Sequence, residues 1–550
     1  MIGAIRTKEK AVIVGAKESG KTSLITSLYS NLQQCGNRKD FHLGDWEVSR
    51  FISEETDDPH VFDFQGACNH LKGCRYPVQT KDWSVIKMEV HLSKVEKQGF
   101  GNKCKKIFFR QKKIVDLEIL DLPGERLSDL ALMVDEKFKR STFRAWSLRV
   151  EATYKSIEKP EHSQWNSYNA YIHEVKGILE DLKNEVKRID EKNVEKSVTA
   201  TEKSNAHKLC KKRIIEAYKK FLPLIRDSRV VYYAPSTTRL TDDGKLVPAS
   251  SAEKFHRALV SGLKETDDGK LMPLDPEDKS AMANNIRHVW IGLKDDEFAP
   301  LPREVFEDDQ FKDLQELFED SYNKYYEQIV EPIVKRMKGA SKVYYLVDVL
   351  NLLRDGREKK DAEVRFSERF FKVLGKKPSK VPVIGGMIDW FSSLLSSVQK
   401  VYLVATQADK AVITKLVRSD EGEEKKITAN VINMQKLMES LGMNNIRNAI
   451  GSDVAVQSFV CAAILSTEST EDGRLKAYWK KDAPSTTCTE PGQPPPVPED
   501  WPDLNSKWEP LVTFKYERPK RCLYAVDPGV SPLPQFNLAN IAKSLLEIKG

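Results

Sequence analysis

The chain has 550 residues, with 88 Lys and Arg against 81 Asp and Glu, a net charge of +7. Hydrophobic residues make up 40% and charged residues 31%, which excludes a membrane-spanning bundle and argues against a globally disordered chain. A chain of this length suggests about three or four domain-sized units, with ample room for a core that needs no disulfide or structural metal.

In chain order, the opening run MIGAIRTKEKAVIVG has an apolar stretch too short for the core of a signal peptide, so no secretory leader is expected. No apolar run reaches the roughly 18 residues that span a bilayer. The longest candidate, Val381 to Leu395, is broken by Pro382 and Asp389. Eight cysteines are scattered without a CxxC pair, as expected of free thiols in a reducing cytosol. Lys10 to Gly15 is a β-rich apolar run that ends in glycine. Leu24, Ile25, Leu28 and Leu32 then follow helical spacing, so the order is strand, glycine loop, helix. Ser84 to Leu92 alternates, and Ile114 to Leu122 is a second β run. These predict a hairpin joined by a long basic loop.

From about Glu136 to Phe221 the chain turns rich in Lys, Glu, Tyr and Ile. Tyr168, Tyr171, Ile172, Val175, Ile178, Leu179, Leu182 and Val186 mark a helical face. Residues 228–302 read as irregular. They contain TDDGKLVP (241–248) and its near-copy TDDGKLMP (266–273), whose Asp-Gly pairs predict two hairpin tips. A helix from Phe311 to Met337 precedes three buried-strand candidates, Lys342 to Asp348, Lys400 to Thr406 and Val454 to Cys461. Strands separated by helical stretches imply an α/β fold, a mostly parallel sheet with helices on both faces. The Pro-rich run 484–502 reads as a stiff extended connection, followed by a β-like patch (511–516) and a closing helix (538–548). The expected organisation is 1–135 and 336–483 for the two parts of one core, 136–335 for a mainly helical insertion, and 484–550 for the tail.

Four strand ends carry chemistry. Gly15-Ala-Lys17-Glu18-Ser19-Gly20-Lys21-Thr22 fits GxxxxGK[ST] and lies between a strand and a helix. In this loop backbone N–H groups wrap phosphates, Lys21 reaches the β- and γ-phosphates, and Thr22 places a hydroxyl on Mg²⁺. Ser23 completes the expected lining. Asp121-Leu-Pro-Gly124 ends the next core strand. There Asp121 can hold Mg²⁺ and the Gly124 N–H can sense a γ-phosphate. Glu125 follows, where many GTPases carry a water-positioning Gln. It can orient water or be a plain surface charge. Thr406-Gln407-Ala-Asp409 ends a third strand, where GTPases read Asn/Thr-Lys-x-Asp. Asp409 would accept hydrogen bonds from guanine N1 and N2, while Gln407 replaces the usual lysine. Cys461-Ala462-Ala463 ends the fourth strand, where a small-residue loop can approach the guanine O6 through backbone N–H groups. Ligands of such sheets bind at the carboxyl ends of the strands, where all four motifs fall.

These segments resemble the YcjX-like family of bacterial P-loop GTPases. The resemblance is carried by GAKESGKTSLITSLYSNL (15–32), residues 62–90, LEILDLPGERLSDLALM (117–133), VYYLVDVLNLL (343–353), VYLVATQADKAV (401–412) and PPPVPEDWPDL (494–504). It implies a Ras-like GTPase core of the P-loop NTPase class, interrupted by a helical domain. It also implies GTP/GDP and Mg²⁺ as ligands, a role in bacterial stress responses, and a membrane-protein partner. By the same resemblance Thr80 falls in the first switch region, where a Thr binds Mg²⁺ in the triphosphate state. The implied place is the cytoplasm, peripheral to the inner membrane.

Two rival readings stay open at this level. One is an ATPase or P-loop kinase, motivated by Gln407. The other is a scaffold that holds nucleotide without turning it over. Arg126 and Arg144 are arginine-finger candidates by charge alone. The nine histidines form no HExxH and no GxSxG occurs. The run 383–398 is weakly amphipathic and reads as a core, lid or surface-lying helix. The segment 94–113 holds 8 basic residues and 1 acidic one, so the rest of the chain is balanced. It is the expected place for contact with anionic lipid, or else a solvated loop. Nucleic acid is not an expected partner.

Overall fold

The computed structural model describes residues 4–15, 19–34, 41–53, 61–72, 76–77, 83–94, 111–122, 130, 133–134, 140–155, 163–191, 196–227, 263–265, 271–273, 298–353, 360–361, 363–364, 367–368, 370–371, 398–408, 431–439, 446, 454–464, 468–469, 475–476, 491–492 and 535–548. The chain divides into two compact units. One joins Met1–Leu127 to Arg336–Gly550; the other is Ser128–Lys335.

The first unit is α/β. Its strands are β1 (Ile5–Gly15), β2 (Trp46–Ser53), β3 (Ser84–Lys94), β4 (Lys112–Asp121), and, after two short strands of the other unit, β7 (Lys342–Val347), β8 (Lys400–Ala405) and β9 (Ala455–Val460). They form one seven-stranded sheet in the order β2-β3-β4-β1-β7-β8-β9. The pairs β2/β3 and β3/β4 are antiparallel, and every other pair is parallel. This is the α/β sheet of a P-loop NTPase core, with the expected β3/β4 hairpin at its antiparallel side. The chain leaves β1 towards β4 and later returns on the β7 side, so the strand order reverses at β1. A crevice at such a switch point is where open α/β sheets bind ligands.

β1 begins five residues earlier than its apolar run predicted. Ala11 to Ile13 pair with β4 and β7 alike, Val14 and Gly15 with β7, and all five are buried, which demands a continuous apolar run. Ile5 to Lys10 pair with β4 alone and alternate with charge, and that hides them from an apolar-run reading. Their charges pair across strands: Arg6 binds Glu89 and Asp116, each at 2.7 Å, and Lys10 binds Glu118 at 2.8 Å.

Helices α1 (Lys21–Gln33) and α2 (Phe64–Lys72) follow β1 and β2. The predicted stripe of α1, Leu24, Ile25, Leu28 and Leu32, is buried against Ala11, Ile13 and the sheet. The closing helix of the chain, Leu538–Leu545, enters the same core through Leu538, Ile541, Ala542 and Leu545. Its carboxyl end is held by lysines at the starts of strands. Lys342, 1% exposed, donates to the Leu545 carbonyl and meets Glu9 at 2.8 Å and Glu547 at 2.9 Å. Lys113 donates to the Leu546 and Glu547 carbonyls, and Lys400 binds the Glu547 carboxylate. Cations at a helix carboxyl end also complement its dipole. Of the basic run 94–113, Lys94, Lys112 and Lys113 therefore belong to strands, and residues 95–110 lie outside the described residues. A small sheet, β10 (Glu468–Ser469), β11 (Leu475–Lys476) and β12 (Pro491–Gly492), takes in part of the run expected to be merely extended. The expected β-like patch at 511–516 and the helix at 383–398 fall outside the described residues.

The second unit is mainly helical. It holds α3 (Phe143–Lys155), α4 (Ser163–Glu191), α5 (Lys196–Asp227) and α6 (Lys312–Tyr325), the last continuing through a π turn, Tyr326–Val330, into α7 (Glu331–Met337). Ion pairs Glu174–Lys220, Asp181–Arg213 and Asp190–Lys203 run in opposite directions along α4 and α5, so these helices are antiparallel. Six of the eight positions expected on the α4 face, among them Tyr168, Tyr171 and Val175, are buried. The tyrosines stack on α5: Tyr171 lies 5.4 Å from Phe221. Burial pushes the Tyr168 and Tyr171 hydroxyls well above the usual tyrosine range and the Cys210 thiol up to about 12. β5 (Leu263–Glu265) pairs antiparallel with β6 (Leu271–Pro273), and the second DDGK copy, between them in sequence, lies outside the described residues, as does the first.

Candidate functional site: the strand ends around β1

The parallel strands end together. Ile13 pairs with Asp121, Gly15 with Leu346, and Val347 with Ala405, which in turn pairs with Val460. The four predicted motifs therefore share one edge of one sheet.

At the centre, β1 ends on Gly15. A Cβ there would lie 2.5 Å from Ser19 Oγ and 2.6 Å from the Leu346 carbonyl oxygen, so no side chain fits without moving β7 or the loop. Gly20 stands before α1 with φ 87° and ψ 18°, a left-handed backbone that glycine takes without strain. Lys21 opens α1 and is buried. Its Nζ reaches back to donate to the Gly15 carbonyl at 2.7 Å, with Ser19 Oγ at 3.5 Å. The strand end, the helix start and a buried ammonium thus converge. A helix amino terminus favours anions through its dipole and first-turn N–H groups, so the cradle fits a polyphosphate. Thr22 and Ser23 occupy the same first turn and are half-buried. Lys17 and Glu18 lie outside the described residues.

On one flank Asp121 ends β4, fully buried beside Ile13. The Leu122 N–H donates to the Ile13 carbonyl at 3.2 Å, which fixes the strand end against β1. A carboxylate here and a hydroxyl at Thr22 are the oxygen donors a Mg²⁺ ion takes in such a site. Thr80, Gly124 and Glu125 lie outside the described residues, as does Arg126. Arg144 is on α3, where its guanidinium lies over the Phe306 ring at 6.0 Å, a contact within the helical unit.

The other flank adds a network that the motifs did not announce. Thr406 Oγ1 donates to the Ser19 carbonyl at 2.8 Å and lies 3.3 Å from the Val347 carbonyl. The end of β8 is therefore bonded directly to the loop that follows β1. Gln407 has φ 61°, a left-handed backbone that costs a residue with a Cβ on the order of 1 kcal/mol. Its Nε2 donates to Asp348 Oδ2 at 2.5 Å. Asp348 follows β7 and is 8% exposed. In the sequence it appears only as the last residue of the strand candidate Lys342 to Asp348. Asp409 lies outside the described residues.

The reading of Cys461 and Ala462 needs correction. The Cys461 N–H donates to the Ala405 carbonyl at 2.9 Å, and the Ala462 N–H to the Phe536 carbonyl at 3.0 Å. Both donors are spent inside the protein, the second because the tail bridges back onto the end of β9. Neither is left to face a base.

Among the described residues, no helix is long and apolar enough to cross a membrane. No curated protein matches this chain. One protein-family model matches residues 10–190 and 296–549, which includes every strand of the large sheet except the first residues of β1, and on that match the chain belongs to the YcjX-like family, DUF463.

Proposed function

We propose that the chain binds GTP and hydrolyses it slowly, as a nucleotide-dependent switch. The observation that supports this most is the 2.8 Å bond from Thr406 to the Ser19 carbonyl, which joins a base motif to a phosphate loop 387 residues away in sequence. In this reading residues 15–23 surround the phosphates. Lys21 leaves the Gly15 carbonyl and turns its ammonium to the β- and γ-phosphates. Thr22, Thr80 and Asp121 would hold Mg²⁺, which neutralises charge on the phosphate oxygens when bound. The Gly124 N–H meets the γ-phosphate and Glu125 orients the attacking water. Asp409 accepts from guanine N1 and N2. With Cys461 and Ala462 engaged, Ala463 is the next small residue whose N–H can meet the guanine O6.

A second reading, an ATPase or kinase, has one observation in its favour. Gln407 stands where GTPases carry a lysine, so the base meets no cation, and its amide is tied to Asp348. Phosphate release from GTP and from ATP, with Mg²⁺, separates the two. GTP should be the faster substrate, and Lys21→Ala should slow release by roughly a hundredfold. Faster release from ATP would favour the second reading. An unchanged rate in Lys21→Ala would remove the site from the reaction, and bound nucleotide without release would leave a nucleotide-holding scaffold.

A further inference from the structure

We infer that Asp348 is a positioning residue for base recognition, acting through Gln407. This rests on the nucleotide-site reading above and deepens it. The Asp348 carboxylate is fixed before Gln407 reaches it. Its Oδ1 accepts from the Asn351 N–H at 3.2 Å and its Oδ2 from Asn351 Nδ2 at 2.6 Å, which pins it to the first turn of the helix at 349–353. Its Oδ2 also accepts from Gln407 Nε2 at 2.5 Å.

Gln407 is the one residue between two anchors. Before it, Thr406 is held by its N–H to the Val347 carbonyl at 3.0 Å and by its hydroxyl to the Ser19 carbonyl. After it, the Ala408 N–H donates to the Cys461 carbonyl at 3.1 Å. The chain turns between these anchors through the left-handed backbone of Gln407, at φ 61°. A residue with a Cβ rarely takes that backbone unless its surroundings hold it there. The tether to Asp348 supplies the hold. It also draws the side chain towards β7, so reading the base falls to Asp409, two residues on. Asp409, the base reader of the proposed function, follows this turn by two residues in sequence.

The test is a double-mutant cycle on the full chain, titrated with GDP and with ADP. Asp348→Ala should lower the preference for GDP over ADP about tenfold while ADP affinity changes less than about twofold. Gln407→Gly takes the left-handed backbone without a Cβ and should keep most of the preference. Adding Asp348→Ala to Gln407→Gly should then change the preference less than about twofold. Loss of both affinities together, or an equal loss of preference in both backgrounds, would overturn the inference. So would an unmoved preference in a wild-type chain that does favour GDP. A wild-type chain that shows no preference for GDP overturns this inference together with the reading beneath it.

Discussion

A buried ammonium needs oxygen partners, and Lys21 has them in the Gly15 carbonyl and the Ser19 hydroxyl. Those partners are local, so the pattern GxxxxGK[ST] between a strand and a helix was enough to place Lys21, Thr22 and both glycines. Asp121 was legible for the same reason, as a carboxylate at the end of an apolar run. Asp348 was not, because a single Asp after a strand has no spacing partner; its role depends on Gln407, 59 residues later. The Cys461 and Ala462 N–H groups misled for a similar reason. Small residues promise close approach, but their donors are taken by Ala405 and by Phe536 in the tail. Thr406 gives the residue-scale prediction. Thr406→Val keeps the shape but leaves the buried Ser19 carbonyl without that donor, at a cost of about 1–3 kcal/mol. The melting temperature should fall and nucleotide affinity should weaken with it. A chain with the same melting temperature and affinity would mean that the bond between the two motifs carries nothing.

Among the elements, the inner half of β1 and the strands β7 and β8 were legible as apolar runs and β4 as a β run, whereas β9, read as buried, is an edge strand with Ala455 and Gln457 exposed. β2 was not legible. Trp46 to Ser53 is an edge strand with a mixed pattern of partly exposed residues, and it pairs only with β3. The closing helix was legible as a helix, but its clamp was not, since Lys113, Lys342 and Lys400 come from three different strands. That clamp makes a pH prediction. Burial raises the Glu547 carboxyl, but hydrogen bonds from Lys342 and Lys400 and their charges outweigh it, and the net direction is down from 4.5. A carboxyl lowered in the folded state adds stability above its unfolded value and loses it as pH falls through the folded one. Stability should therefore decline below about pH 4.5, and Glu547→Gln should flatten that decline. Parallel acid limbs in thermal melts of the two chains would contradict the clamp.

At the scale of the molecule, the insertion at 136–335 was read from a change of composition, and the chain separates into an α/β unit and a mainly helical one. The net +7 traces to the stretch 94–113. Its described lysines, at 94, 112 and 113, stand in strands, and Lys113 holds the closing helix. The other five basic residues of that stretch lie outside the described residues. The strand-end site at the switch point of the sheet is the guide to the ligand proposed above. Titrating the purified chain with fluorescent GDP and ADP in the presence of Mg²⁺, alongside Lys21→Ala, tests the account most directly. Wild type should bind GDP at least tenfold tighter than ADP, and Lys21→Ala should lose most of that affinity, roughly a hundredfold. Equal affinity for the two nucleotides, or GDP binding that survives Lys21→Ala unchanged, would contradict it.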